Sequence, residues 1–220
     1  NNFIFEIGSV NISNYAFYNC DGITSVTLPE GCTQLGQYAF AECSKLAEVI
    51  TPKSLETIPA YSFKNCEKLE RFVISEGVTD VSEDAFIGCT SLEKFEVDSN
   101  SEKFSVDECG VLFNKDKTEL ILYPTGRKEA TYTIPDSATK IGYYAFYYGT
   151  NLTTITIPTS VKMLDYHALR GAGHGYIINY AGTQEQWNEL LDNSNSTSYL
   201  DSYLIYWVDG SSNLAGTINN

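Results

Sequence analysis

The sequence predicts a repeat solenoid of the α/β type, in which short parallel strands stack beside helical or 3₁₀ turns. Three observations predict it. An aromatic–cysteine unit recurs at a fixed step of 23 residues: Ala16-Phe17-Tyr18-Asn19-Cys20, Ala39-Phe40-Ala41-Glu42-Cys43, Ser62-Phe63-Lys64-Asn65-Cys66 and Ala85-Phe86-Ile87-Gly88-Cys89. A period in this range marks a solenoid. Apolar residues keep the same step, with Ile12, Leu35, Ile58 and Val81 before each marker Phe and Ile23, Leu46, Leu69 and Leu92 after it. Finally, the stretches around Val26, Val49, Phe72 and Phe95 alternate in polarity, are rich in β-branched and aromatic residues, and in two cases run into Pro29 or Pro52. That is the pattern of a short strand with one buried face.

Read in order, the chain is a single domain over 1–220. Residues 1–15 form an N-terminal cap, because a solenoid end exposes an apolar face that needs covering; the alternation in Phe3-Ile4-Phe5-Glu6-Ile7 suits a short capping strand. Residues 16–97 are regular repeats. The Phe-x-x-Cys part is too short for a free-standing helix and reads as one helical or 3₁₀ turn that carries the chain back across the stack. The step breaks after Val97: the next equivalent strand, Tyr132-Thr133-Ile134-Pro135, arrives 37 residues on rather than 23. The extra residues fall in 98–130, where Val111-Leu112-Phe113 and Glu119-Leu120-Ile121-Leu122-Tyr123 flank a polar turn and read as a β-hairpin insertion. The repeats resume over 131–175 through Ile141, Phe146, Leu152, Ile155, Val161, Leu164 and Leu169. Residues 176–209 read as a C-terminal helix-plus-strand cap. In it Tyr176-Ile177-Ile178-Asn179-Tyr180 closes the strand stack, and Thr183 and Gln186 are placed as a capping box for a helix to about Leu191. After the polar loop Asn193-Ser194-Asn195-Ser196-Thr197-Ser198 comes a final strand, Tyr203 to Val208, with Trp187 and Trp207 over the last repeat. Residues 210–220 are a polar tail outside the fold.

Composition narrows the function. The chain is 43% hydrophobic, ample for one core. Its net charge of −14 disfavours nucleic acid and anionic lipid, both polyanions. No apolar run reaches the length of a membrane span, so no membrane insertion is expected. A start at Asn1 without a leader pattern fits a mature or truncated chain.

Several motifs resemble the BspA-type leucine-rich repeat family of bacterial surface proteins, over roughly residues 10–208. The repeat resembles Leu46-x-x-Val49-x-x-Pro52 followed by Ile58-x-x-x-Ser62-Phe63-x-x-Cys66. The run from Gly110 to Leu120 is similar to that family's hairpin insertion, and Tyr180-Ala181-Gly182-Thr183-Gln184-Glu185-Gln186-Trp187 to its terminal motif. The chain departs from the pattern at Ser75 and Asp98 (for the strand-ending Pro), Cys32 (for an aliphatic residue) and Leu169 (for the marker Phe). The resemblance implies a leucine-rich-repeat-like, right-handed stack, a secreted or cell-surface location, and adhesion or ligand binding without one shared ligand.

Candidate chemistry is sparse. Cys20, Cys43, Cys66 and Cys89 invite a metal site, but zinc ligands converge at short spacing, and a 23-residue step sets thiols in a line. A ladder of buried free thiols is the favoured reading; disulfides between adjacent rungs remain compatible with the spacing. Cys32 and Cys109 have no activating neighbour in sequence. His167, where other repeats place Tyr15, Tyr38 and Tyr144, and His174, in the Gly171-Ala172-Gly173-His174-Gly175 turn, lack the partners of a catalytic base. Asp98-Ser99-Asn100-Ser101-Glu102 and Asn114-Lys115-Asp116-Lys117-Thr118 lack the Gly and terminal Glu of a calcium loop. Asn11, Asn151 and Asn195 head glycosylation-like triplets that would be incidental in a bacterial protein. The expectation is therefore no catalysis, no metal and no cofactor.

The outward strand positions are more informative: Ser25 and Thr27, Glu48 and Ile50, Arg71 and Val73, Lys94 and Glu96, Thr131 and Thr133, Thr154 and Thr156. Ile50 and Val73 form an apolar pair rimmed by Glu48, Arg71, Lys94 and Glu96. An apolar centre with a charged rim suits a protein or peptide partner, such as a host surface or matrix protein; ordinary cross-strand pairing is the competing reading. The rings of Tyr143, Tyr144, Phe146, Tyr147 and Tyr148 leave a glycan as an alternative ligand. A structural spacer with no ligand is the third reading.

Overall fold

The structure is a computed structural model and describes residues 2–4, 11–149, 151–171, 177–195, 200, 203–207 and 212–214. The entry segment 5–10, the Gly-rich turn with His174, Tyr176, the loop residues 196–198 and most of the tail lie outside them.

Among the described residues seventeen strands and one helix run in the order β1 (Asn2–Ile4), β2 (Ser25–Thr27), β3 (Glu48–Ile50), β4 (Thr57–Ile58), β5 (Arg71–Ile74), β6 (Asp80–Val81), β7 (Lys94–Val97), β8 (Phe104–Val106), β9 (Leu112–Asn114), β10 (Glu119–Leu122), β11 (Thr131–Thr133), β12 (Lys140–Ile141), β13 (Thr154–Ile157), β14 (Met163–Leu164), β15 (Ile177–Tyr180), α1 (Gln184–Asp192), β16 (Leu204–Trp207) and β17 (Ser212–Leu214). Two parallel series alternate along the chain. One contains β1-β2-β3, β5-β7 and β11-β13-β15-β16; the other contains β4-β6 and β10-β12-β14. The repeat step sets the register, pairing Val26 with Val49, Phe72 with Phe95 and Ile155 with Ile178. Because each strand has one inward residue per pleat, equal spacing places like residues above one another in a continuous core.

The marker phenylalanines form that core's spine. The rings of Phe17, Phe40, Phe63 and Phe86 stack nearly parallel at 5.1, 5.7 and 5.5 Å. On the turn side the Sγ–H of Cys43, Cys66 and Cys89 donates to the carbonyls of Phe17, Phe40 and Phe63 at 3.1, 3.2 and 3.1 Å. All six cysteines are free. The return segment has the i→i−3 bonds of a 3₁₀ turn, such as Ala41 N to Tyr38 O and Cys43 N to Phe40 O. Positive φ at Tyr38 and Glu42 interrupts it, however, so no continuous helix forms. The turns ladder as the strands do: Phe40 N donates to Ser62 O and Glu42 N to Lys64 O in the next rung.

Several elements differ from expectation. The expected capping strand is itself a rung of the ladder: β1 pairs parallel with β2 in repeat register, Asn2 opposite Ser25. The insertion is a three-stranded meander, β8-β9-β10, rather than a hairpin alone. Within 98–130, Tyr123 takes the marker position: its amide donates to Ala145 O and its ring stacks on Phe146 at 5.2 Å. Gly126 stands where a Cys would fall, and any Cβ there would meet the backbone of Ser91 at 2.3 Å. At the C-terminal end the capping box forms as expected, Gln186 N to Thr183 Oγ1 and Thr183 N to Gln186 Oε1. β16 adds parallel to β15, and β17 adds antiparallel to β16. Part of the expected tail is therefore a strand: edge pairing needs only backbone groups, which polar residues supply as well as apolar ones. No helix among the described residues is long and apolar enough to cross a membrane.

Candidate functional site

The outward residues of the first strand series lie where the alternation puts them. Ser25 and Thr27 stand opposite Glu48 and Ile50, and Arg71 and Val73 opposite Lys94 and Glu96. Inward neighbours Val49, Phe72 and Phe95 are buried. Ile50 is 51% exposed, unusually open for an aliphatic side chain on a sheet, whereas Val73 is half-buried. Glu96 binds two cations: its carboxylate is 3.2 Å from Arg71 Nη1 and 2.5 Å from Lys94 Nζ. The Lys94 hydrogen bond, with Arg71 adding to it, holds the Glu96 carboxyl below its ordinary range.

Beside this cluster the ladder is interrupted. β3 and β5 are consecutive members of the same series, yet they belong to different sheets. A depression of about 380 Å³ lies on the exposed side of this break, lined by Ala47, Glu48, Val49, Ile50, Thr51, Glu70, Arg71 and Val73. Its size is at the lower end of the roughly 300–1,000 Å³ typical of ligand clefts.

The local sequence accounts for the break. In regular rungs the residue ending the strand is aliphatic, and its amide donates to the next rung, as in Leu28 N to Ile50 O (2.9 Å) and Ile134 N to Thr156 O (3.0 Å). Thr51 occupies that position between β3 and β5. Here it is the hydroxyl of Thr51 that reaches Val73 O, at 3.2 Å, and it also lies 3.3 Å from Ser75 Oγ. Ser75 in turn donates to Pro52 O at 2.9 Å and is 6% exposed. Two hydroxyl protons thus serve three oxygen contacts. Two residues that leave the repeat pattern, Thr51 for an aliphatic residue and Ser75 for proline, meet in one polar seam under the depression.

Of the six residues expected from sequence, Glu48, Ile50, Arg71 and Val73 line the depression. Lys94 and Glu96 stand one strand further on, joined to it through Arg71. Ala47, Glu70, Thr51 and Ser75 were not anticipated. The signal for the last two was present, since both depart from the repeat; Glu70 sits just before the strand, where alternation gives no guidance. Neither Glu48 nor Glu70 has a cation within ion-pair distance among the described residues; Lys128, which feels the Glu70 charge from further off, is bonded to Glu93 at 2.6 Å.

Burial pushes the Cys43 thiol up to about 11 and that of Cys89 to about 12, the reverse of an activated nucleophile. Among the described residues no three His, Cys, Asp or Glu side chains come together as a metal site. Asp98 Oδ1 accepts from Asn100 N, and Asn114 Oδ1 accepts from Thr118 N and Glu119 N, so both calcium-like loops spend an oxygen on their own turns. His167 has φ 54°, packs against Tyr144 and Tyr166, and is held below its usual pKa by burial. The turn-side tyrosines largely face one another: Tyr15 on Tyr38 and Tyr38 on Tyr61 at 4.8 Å, Tyr143 on Tyr166 at 5.5 Å. Tyr143 meets Tyr144 and Tyr147 meets Tyr148 edge to face, and Tyr148 is exposed.

A parallel stack whose rungs carry leucine or isoleucine in the strand arm and a Phe-x-x-Cys turn defines a leucine-rich repeat protein. More narrowly, a profile described as BspA type leucine-rich repeat region matches residues 1–108 and 127–195 in six copies. The chain belongs to that family; the gap between the two matched stretches, 109–126, contains the β9-β10 hairpin, and residues 196–220 follow the second stretch. It is similar to a crystal structure of a leucine-rich repeat protein from Eubacterium ventriosum, at 25% identity and a TM-score of 0.68, covering 94% of this chain and 60% of that one. The pneumococcal vaccine antigen PcpA shares the fold at 21% identity and a TM-score of 0.62, covering 91% and 61%. The chain thus spans about three-fifths of each. No curated protein sequence matches it.

Proposed function

We infer that the chain acts by binding and not by catalysis, as an adhesion module of a secreted or surface-anchored bacterial protein. It takes a protein or peptide partner on its strand face. One observation carries this reading: the open depression between β3 and β5, where Ile50 is 51% exposed beside Val73 within a charged rim. An apolar centre inside a polar rim is the usual anatomy of a recognition patch. Membership of a family of bacterial surface proteins supports the location.

Selection of random displayed peptides on the wild-type protein and on Ile50→Asp tests it. Ile50 points outward, so the variant should keep the wild-type circular dichroism spectrum and melting temperature. The reading requires enriched peptides that lose binding to Ile50→Asp. It is wrong if no peptide enriches, or if those that do bind both proteins alike. A chain that also leaves glycan and matrix-protein arrays empty would then be a spacer.

A further inference from the structure

The depression is asymmetric in charge, and the asymmetry specifies an occupant. Along the strand direction one end carries Ala47 and Glu70 and then Glu48 and Arg71, and the other carries Ile50 and Val73. Arg71, the one cation of the lining among the described residues, shares the Glu96 carboxylate with Lys94. Glu48 and Glu70 are both exposed, and among the described residues neither is in a salt bridge. Three carboxylates, Glu48, Glu70 and Glu96, thus stand against two cations, Arg71 and Lys94, which leaves one excess negative charge, and the aliphatic end carries none.

Resting on the binding reading above, we propose that the depression takes an extended peptide segment of the partner carrying a basic residue and an aliphatic residue two positions apart. The spacing follows from the strand. Glu48 and Ile50 are two residues apart on one face, about 6.6 Å along the chain. A second extended segment lying along the strand presents its own side chains at i and i+2 to the same face with the same separation. The basic residue then sits over Glu48 and Glu70 and the aliphatic one over Ile50 and Val73. A basic partner also suits a chain of net charge −14, which draws cationic segments from a distance and repels acidic ones. The contact is small, so it is weak and exchanges fast unless other rungs add to it.

The test uses the whole chain, isotope-labelled, titrated by heteronuclear NMR with four capped nonapeptides in a Gly/Ser background. Their cores are Lys-Thr-Val, Glu-Thr-Val, Lys-Thr-Ser and Lys-Val, the last with the spacing collapsed. Lys-Thr-Val is expected to shift the amides of residues 47–51 and 70–73 and to bind about tenfold tighter than each of the other three. Raising the salt should weaken it. Glu48→Gln combined with Glu70→Gln should weaken it by about tenfold. Arg71→Gln should strengthen it, because Glu96 loses one of its two cations. If Glu-Thr-Val or Lys-Thr-Ser moves the same amides as strongly, the proposed occupant is wrong while binding at this face stands. If none of the four moves them, the proposed occupant is likewise wrong, and the selection against Ile50→Asp judges the face independently.

Discussion

Replacing Phe63 by alanine tests whether the stack is a column of nearest-neighbour contacts. The Phe63 ring has no exposed surface and lies 5.7 Å from Phe40, 5.5 Å from Phe86 and 5.1 Å from Phe72. Deleting such a ring costs about 3–5 kcal/mol through lost transfer energy and the cavity left behind. Domain stabilities run to about 5–15 kcal/mol, so the variant keeps its fold with a much lower midpoint or loses it. The sharper test is coupling. Phe40 and Phe63 touch, so a double-mutant cycle between them should return about 0.5–1.5 kcal/mol. Phe17 and Phe63 are separated by the Phe40 ring, so their costs should add within about 0.5 kcal/mol. Leucine replacements keep the proteins folded if the alanines do not. Urea unfolding followed by far-ultraviolet circular dichroism gives each free energy, and the m-values reveal any change in the extent of unfolding. Equal coupling for the touching and separated pairs would refute the nearest-neighbour picture, as would a cost for Phe63→Ala below about 1 kcal/mol.

Four further outcomes are expected. Gly88 has φ +78° and its Cβ would lie 1.9 Å from Asn65 Oδ1, so Gly88→Ala should cost more than about 1 kcal/mol in urea unfolding. Gly22, with open space around it, should accept alanine within about 0.5 kcal/mol. Alkylation at mildly alkaline pH, read by peptide mass, should modify half-buried Cys20 well before Cys66 and Cys89, whose thiols burial pushes up, and denaturant should abolish the difference. Glu96 has a folded pKa below its unfolded one, so its contribution is present above the ordinary carboxylate range and is lost as pH falls through the folded value. Melting temperature against pH should therefore decline on the acid side, and Glu96→Gln should flatten that decline; an unchanged slope would mean that the ion pairs with Lys94 and Arg71 contribute nothing.

Periodic residues made the fold legible. Phe17, Phe40, Phe63 and Phe86 announce a column because a fixed step on a parallel ladder can only superpose equivalent side chains, and the capping box at Thr183 is a local hydrogen-bond pattern written in four residues. Tyr123 was hidden by the phase shift of the insertion, although it stands one repeat length before Phe146 and its ring does the work of a marker Phe. β8 was hidden because Phe104-Ser105-Val106 is too short to show a period, and β17 because Ser212-Asn213-Leu214 is placed by an edge of backbone groups. The candidate site was half legible. Alternation put Glu48, Ile50, Arg71 and Val73 outward, but the break that gathers them into a depression depends on a contact between Thr51 and Ser75 in different rungs.

That contact bears on where specificity can arise in a chain of repeats. A perfect repeat presents the same surface at every rung, so it offers a partner no reason to prefer one place over another. Specificity requires residues that leave the pattern, and most such residues cost stability, since the ladder and the column are satisfied by the consensus types. Between β3 and β5 the departures occur in a compensated pair: the Thr51 hydroxyl takes up Val73 O, and Ser75 takes up Pro52 O. The half-buried polar atoms therefore keep partners while the strands part. Restoring the pattern with Thr51→Val and Ser75→Pro should knit β3 to β5 and close the depression, with the core column intact. The double variant should then be at least as stable as the wild type in urea, and its amide exchange between 47–51 and 70–74 should slow. A double variant that keeps fast exchange there would show that the break has a cause other than this seam. One that closes the depression and still binds strand-face peptides would move recognition off the break and onto the regular rungs.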